Sequence, residues 1–181
     1  MKNIFLMTFL LSSFLLSCED VANDPIDEAW ALYESGDYIG SYDAFETLVS
    51  ERGAQAIEGQ AWSALALDDL TKADELFSEI ATDSLPDAYA GWLVVGWTKK
   101  QYNDVIDRTN VVLTINPEYE FTHNVRFDYK DINVHLAFSM FHVGDLNGCN
   151  STITYLDNSW TSTTNTDAIL VKLESLYNTF K

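Results

Sequence analysis

The chain repeats itself, and the repeat limits what it can fold into. Ala29-Trp30 returns as Ala61-Trp62, 32 residues further on. Gly36-Asp37-Tyr38 returns as Gly144-Asp145-Leu146, with Asp68-Asp69-Leu70 and Lys100-Gln101-Tyr102 between them at the same phase. Behind each turn a small or β-branched residue follows at a fixed offset: Ser41, Ala73, Val105, Cys149. Four residues later come Phe45, Phe77, Thr109 and Ile153, and three beyond those Leu48, Ile80, Val112 and Leu156. The first three units are spaced by 32 residues and the last by 44, an insertion of 12. A period in the low thirties with two helical patterns per unit reads as stacked helix–turn–helix units, because each unit's apolar face needs a neighbour to cover it. Three prolines and eight glycines are too few for a turn-rich all-β chain.

These residues resemble the tetratricopeptide repeat (TPR). The likeness rests on the Gly-Asp-Tyr turn, the small residue at the helix crossing, the large apolar residue after it and Pro117 at the end of the third unit. The expected fold is all-α: about four TPR-like units over 26–181, with a C-terminal capping helix and a short irregular or β-like insertion in the last unit. The third unit departs from the pattern at Val105 and Thr109. Asp24-Pro25 is a helix start, an N-cap followed by proline in the first turn. Thr166 or Asp167 caps a last helix with Ile169, Leu170, Leu173, Leu176 and Tyr177 on one side.

Ahead of the repeat, Lys2 precedes an apolar run from Ile4 to Leu16, and Leu15-Leu16-Ser17-Cys18 closes it. The run has 13 residues, short of the roughly 20 that a membrane-spanning helix needs. The arrangement resembles a bacterial lipoprotein signal peptide with its lipobox; an ordinary secretory signal with a chance cysteine is the alternative. The resemblance implies removal of residues 1–17, acylation of Cys18 and a lipid-anchored place in the cell envelope, expected at the outer membrane. Residues 18–25 then read as an acidic tether, too polar to fold alone.

The net charge is −18, and it is lopsided: residues 19–87 hold 18 acidic and 2 basic residues. Such a field repels phosphate backbones and excludes nucleic acid as the natural partner. It suits a solubilising surface, a basic partner or divalent cations. With Cys18 acylated, Cys149 has no partner for a disulfide and reads as a buried small hydrophobe.

No nucleophile elbow, phosphate-binding glycine loop or zinc-protease pair occurs, so no enzyme and no cofactor is expected. His135 and His142 stand seven apart with no third ligand in register, a poor metal site. Asp68-Asp69 and Asp74-Glu75 read as solvated surface.

The strongest signal is aromatic. In the TPR family the first helix of each unit lines a concave groove. The matching positions here hold Trp30 and Tyr33, Trp62 and Leu65, Val94 and Trp97, Phe138 and Phe141. A row of large apolar side chains needs cover. A partner's peptide, the chain's own insertion, or a superhelix tight enough to make the face core would each supply it. The insertion, near Glu118–Lys130, places Tyr119, Phe121, His123, Val125, Phe127 and Tyr129 at every second residue, which is strand periodicity. A short hairpin turning at His123-Asn124 or an extended arm fits it. Two functions follow: a protein-interaction module for a protein or peptide partner, or a binder of small ligands or glycans on aromatic platforms.

Overall fold

The computed structural model describes residues 23–81 and 85–180. The signal segment 1–17, Cys18, the tether up to residue 22 and Ser84 lie outside the described residues. Among the described residues the elements are α1 (Pro25–Glu34), α2 (Tyr38–Arg52), α3 (Ala54–Ala66), α4 (Leu70–Ile80), α5 (Pro86–Thr98), α6 (Tyr102–Ile115), α7 (Tyr129–His142), α8 (Leu146–Leu156) and α9 (Thr166–Phe180).

The repeat phase is written into the backbone. Gly36, Asp68, Lys100 and Gly144 all turn with positive φ, at 86°, 62°, 59° and 82°. The next residue caps the second helix of each unit. Asp37, Asp69 and Asp145 each accept a hydrogen bond from the backbone N–H three residues on, at 3.0, 3.0 and 2.9 Å. Gln101 holds the same place in the third unit without a side-chain cap.

Helices pair as α1/α2, α3/α4, α5/α6 and α7/α8. The first helices also touch in sequence, α1 on α3, α3 on α5 and α5 on α7, while α2, α4 and α6 wedge between successive first helices. The crossing residues Ser41, Ala73, Val105 and Cys149 are fully buried, as are Phe45, Phe77, Thr109 and Ile153. Phe45 lies where a Cβ on Gly59 would be 2.3 Å from its ring, and Phe77 stands in the same relation to Gly91 at 2.2 Å. Large residue into glycine is therefore how one unit seats on the next. At the third junction the same phase carries Thr109 and His135 instead.

The chain ends are fixed as the caps dictate. Asp24 Oδ1 accepts from the Ile26 N–H at 3.0 Å, with Pro25 in the first turn. Helix α9 packs on α7 and α8. Its cap lies one residue before the first of those expected: Asn165 Oδ1 accepts from the Ala168 N–H at 3.1 Å, so Asn165 rather than Thr166 or Asp167 takes that role. Ile169, Leu173 and Leu176 are buried, whereas Leu170 and Tyr177 stay 38% and 37% exposed, so the apolar stripe is narrower than expected. The 158–165 loop hangs on buried Asn150. Its Oδ1 accepts from Trp160 Nε1 at 2.9 Å and its Nδ2 donates to the Thr163 carbonyl at 2.9 Å. Among the described residues no helix is long and apolar enough to cross a membrane.

Candidate functional site

The eight positions expected to line the groove fall on the inner layer of first helices. Trp30 and Tyr33 are on α1, Trp62 and Leu65 on α3, Val94 and Trp97 on α5, Phe138 and Phe141 on α7. Their exposures differ sharply by unit. Trp30, Tyr33 and Trp62 are buried, at 7%, 9% and 5%, while Leu65, Val94, Trp97, Phe138 and Phe141 are half-buried.

The difference comes from the insertion. The 116–128 loop joins α6 to α7, yet its rings lie against α1 and α3 at the other end of the array. Phe121 stacks on Trp62 (centroids 4.0 Å apart, planes at 17°) and meets Trp30 and Tyr33 edge-on at 6.0 and 6.2 Å. His123 lies flat on Trp30 at 3.7 Å, and its Nδ1 hydrogen-bonds Glu34 Oε1 at 2.8 Å. Phe127 meets Trp62 edge-on at 6.0 Å. Tyr119 and Phe121 are fully buried. Burying two such side chains contributes about 1.5–3 kcal/mol each. As long as the loop stays seated, Trp30, Tyr33 and Trp62 offer no open surface to a partner.

The loop is a narrow hairpin with a single antiparallel bridge, Glu120 to Asp128, rather than a pair of strands. The Tyr129 N–H donates to the Tyr119 carbonyl at 2.7 Å and the Phe121 N–H to the Phe127 carbonyl at 3.0 Å. Two tight turns close its tip, Asn124 N–H to the Phe121 carbonyl and Phe127 N–H to the Asn124 carbonyl. Turning there breaks the period-two pattern, and Val125, expected on the apolar side, is 66% exposed. Asp128 and Asp131 form a reciprocal capping box that starts α7 immediately after the loop.

Beneath the loop lies a feature that no sequence motif marks. Glu58 is on α3, amid residues 56–64 that are otherwise all buried, and its Oε1 is buried without a hydrogen-bond partner. Burial, reinforced by the Asp87 carboxylate, pushes the Glu58 carboxyl up to about 8, with the Ala88 N–H pulling the other way. Burial also raises Asp87 in the first turn of α5, against the Tyr119 hydroxyl and His123. Tyr119 Oη is buried over this pair without a hydrogen bond of normal geometry, and burial, then Asp87, raises its pKa. The one trace that could have found it is a single acid in an apolar helix stretch.

The half of the groove formed by α5 and α7 is packed differently. Trp97 meets His135 edge-on at 5.0 Å and Phe138 at 5.6 Å, and His142 stacks on Tyr102 at 4.2 Å. His135 Nδ1 bonds the Asp131 carbonyl at 2.7 Å, and burial lowers its pKa. Each of the three histidines therefore packs on an aromatic ring. No group of three metal-ligating side chains occurs among the described residues.

Asp74 corrects the solvated reading of Asp74-Glu75. It is half-buried, accepts from Trp92 Nε1 and Lys99 Nζ at 2.6 Å each, and Arg108 lies 3.7 Å over the Trp92 ring. Burial acts to raise Asp74, but Lys99 and Trp92 outweigh it and hold the carboxyl below its usual range. This cluster clamps α4 to α5. Cys149 is fully buried, and burial, then Asp145, raises its thiol to about 11, so it is inert in the folded chain.

Among solved structures the chain is similar to a thermophilic TPR protein of Thermus thermophilus. The two share 16% identity and a TM-score of 0.55 over 86% of this chain and 80% of that one. No family model matches the chain, and no curated protein matches it. The class defined by this fold and face is an all-α, TPR-like helical repeat array. Its particular member here carries an insertion seated in its own groove.

Proposed function

We propose that the chain is a lipid-anchored interaction module of the bacterial cell envelope, holding a protein or peptide partner on the inner face of its repeat array. The observation that carries this reading is the row of large apolar side chains at one phase of four successive first helices, half of it only partly covered. Leu65, Val94, Trp97, Phe138 and Phe141 form the accessible part. Trp30, Tyr33 and Trp62 become available when the loop leaves. The lipobox-like Leu15-Leu16-Ser17-Cys18 supports the anchor, with an outer-membrane place as its expected consequence. The strongly acidic first half favours a partner with basic flanks.

The glycan-binding alternative asks for free aromatic platforms. One face of Trp30 is covered by His123, one face of Trp62 by Phe121 and one face of Trp92 by Arg108, which weighs toward a protein partner.

The test is affinity capture from detergent-solubilised envelopes, with Leu65→Ser and Phe141→Ser beside the wild type. A stoichiometric partner that falls at least about tenfold with variants of unchanged helical circular dichroism is expected. Unchanged capture by folded variants overturns the groove reading. Labelling with an alkyne fatty acid checks the anchor: signal on the wild type and none on Cys18→Ala is expected, and equal signal contradicts it.

A further inference from the structure

We propose that the 116–128 loop is a proton-linked latch: one proton on the Glu58–Asp87 pair keeps Tyr119 and the loop seated, and its loss releases them from Trp30 and Trp62. Glu58 on α3 and Asp87 on α5 act on one another in a site that the loop roofs with Tyr119, 1% exposed. Glu58 Oε1 is buried there without a hydrogen-bond partner, and the buried Tyr119 hydroxyl bears on the Asp87 carboxylate. Trp62, whose ring carries Phe121, donates Nε1–H to the Asp87 backbone carbonyl at 3.2 Å. The acid pair and the aromatic seat of the loop thus share one residue and one helix start.

The groups bearing on the pair come from every element around it. Asp87 faces Glu58 from α5, Tyr119 and His123 act from the loop, and Tyr33 acts on Tyr119 from α1. Glu34, also on α1, is tied to His123. Among these, His123 is the group whose charge favours an ionised Asp87. With Glu58 protonated the roofed site holds one negative charge; with Glu58 ionised it holds two, in a place without water contact for Oε1.

The direction follows from the raised Glu58 carboxyl, about 8 when seated against the ordinary 4.5 of a solvated carboxyl, toward which release of the loop moves it. The seated form binds the extra proton between those values. Seating is therefore strongest below about pH 4.5 and weakens as pH rises through about 8, by up to about tenfold in the seating equilibrium per pH unit. Opening the latch would uncover the α1 and α3 half of the groove. The latch extends the partner reading only in what it exposes, and its test needs no partner, so the two can fail separately.

The experiment is hydrogen exchange on the full chain at pH 5.5 and 8.5, corrected for intrinsic rates. It follows the Phe121, Phe127 and Tyr129 amides, with α4 amides as the control for global unfolding. Wild-type loop protection should fall at pH 8.5, by up to about 100-fold, while α4 stays protected. Glu58→Gln, neutral at both values, should keep the loop protected, and Asp87→Asn should do so by a second route. His123→Gln should retain the wild-type dependence. Equal protection of the wild-type loop at both pH values overturns the proposal. So does a pH response that survives both acid-pair variants but vanishes in His123→Gln.

Discussion

Lys100 sits at φ 59° in a turn where two of the three equivalent residues are glycine. A side chain in that conformation costs about 1 kcal/mol, so Lys100→Gly is expected to raise stability by about 0.5–1 kcal/mol, read as a higher urea midpoint at constant slope. Gln101 beside it lacks the cap that Asp37, Asp69 and Asp145 supply, and Gln101→Asp is expected to add about 1 kcal/mol in the same assay. Thr109 Oγ1 is buried without a hydrogen-bond partner at a position where the first two units carry phenylalanine. Thr109→Val, nearly isosteric, is expected to stabilise by up to about 1 kcal/mol, and a lower midpoint would show that the hydroxyl is satisfied. Thr109 was legible as a departure from the repeat, because the repeat supplies its own reference at each phase, whereas Lys100-Gln101 was legible only as the turn at that phase. Glu58 was not legible in this way. Its neighbours in sequence say that α3 is buried, but what meets it in the fold is Asp87, 29 residues on, and Tyr119, beyond two more helices.

At the scale of elements, the fit of one unit on the next rests on Phe45 against Gly59 and Phe77 against Gly91. Gly59→Ala places a methyl 2.3 Å from the Phe45 ring and is expected to cost about 1–3 kcal/mol. Phe45→Leu should relieve part of that cost in the double variant, and strictly additive effects would contradict the packing. The helix start signal placed α1 well, since Asp24 caps it and Pro25 sits in its first turn. The capping helix was legible from its apolar period, but its cap and stripe were each slightly misplaced. Asn165 and Thr166 both qualify as an N-cap by residue type, and packing on α7 and α8 decides between them. The insertion was legible as period-two and aromatic. Its seat on α1 was not, since periodicity reports which residues want cover and says nothing about which distant surface provides it.

At the scale of the molecule, the array closes on itself: a loop from its fourth unit covers the groove of its first two. Two acids then pull stability in opposite directions with pH. Glu58, raised in the fold, contributes stability that is full below about pH 4.5 and lost as pH rises through about 8. Asp157 is held well below the usual carboxylate range by Lys172 and Ser159. Its contribution is present above that range and is lost on acidification, a small effect for a single ion pair at the surface. Thermal melts should therefore show the midpoint falling from pH 6 to pH 8.5 in the wild type and falling less in Glu58→Gln. The measurement that bears most directly on this architecture is proton NMR of the aromatic rings. Cross-peaks from the Phe121 ring to the Trp62 indole and from the His123 ring to the Trp30 indole are expected, with the His123 ring protons shifted upfield by the stacked indole. Random-coil shifts for residues 119–127, with contacts only to sequence neighbours, would contradict a loop seated in its own groove.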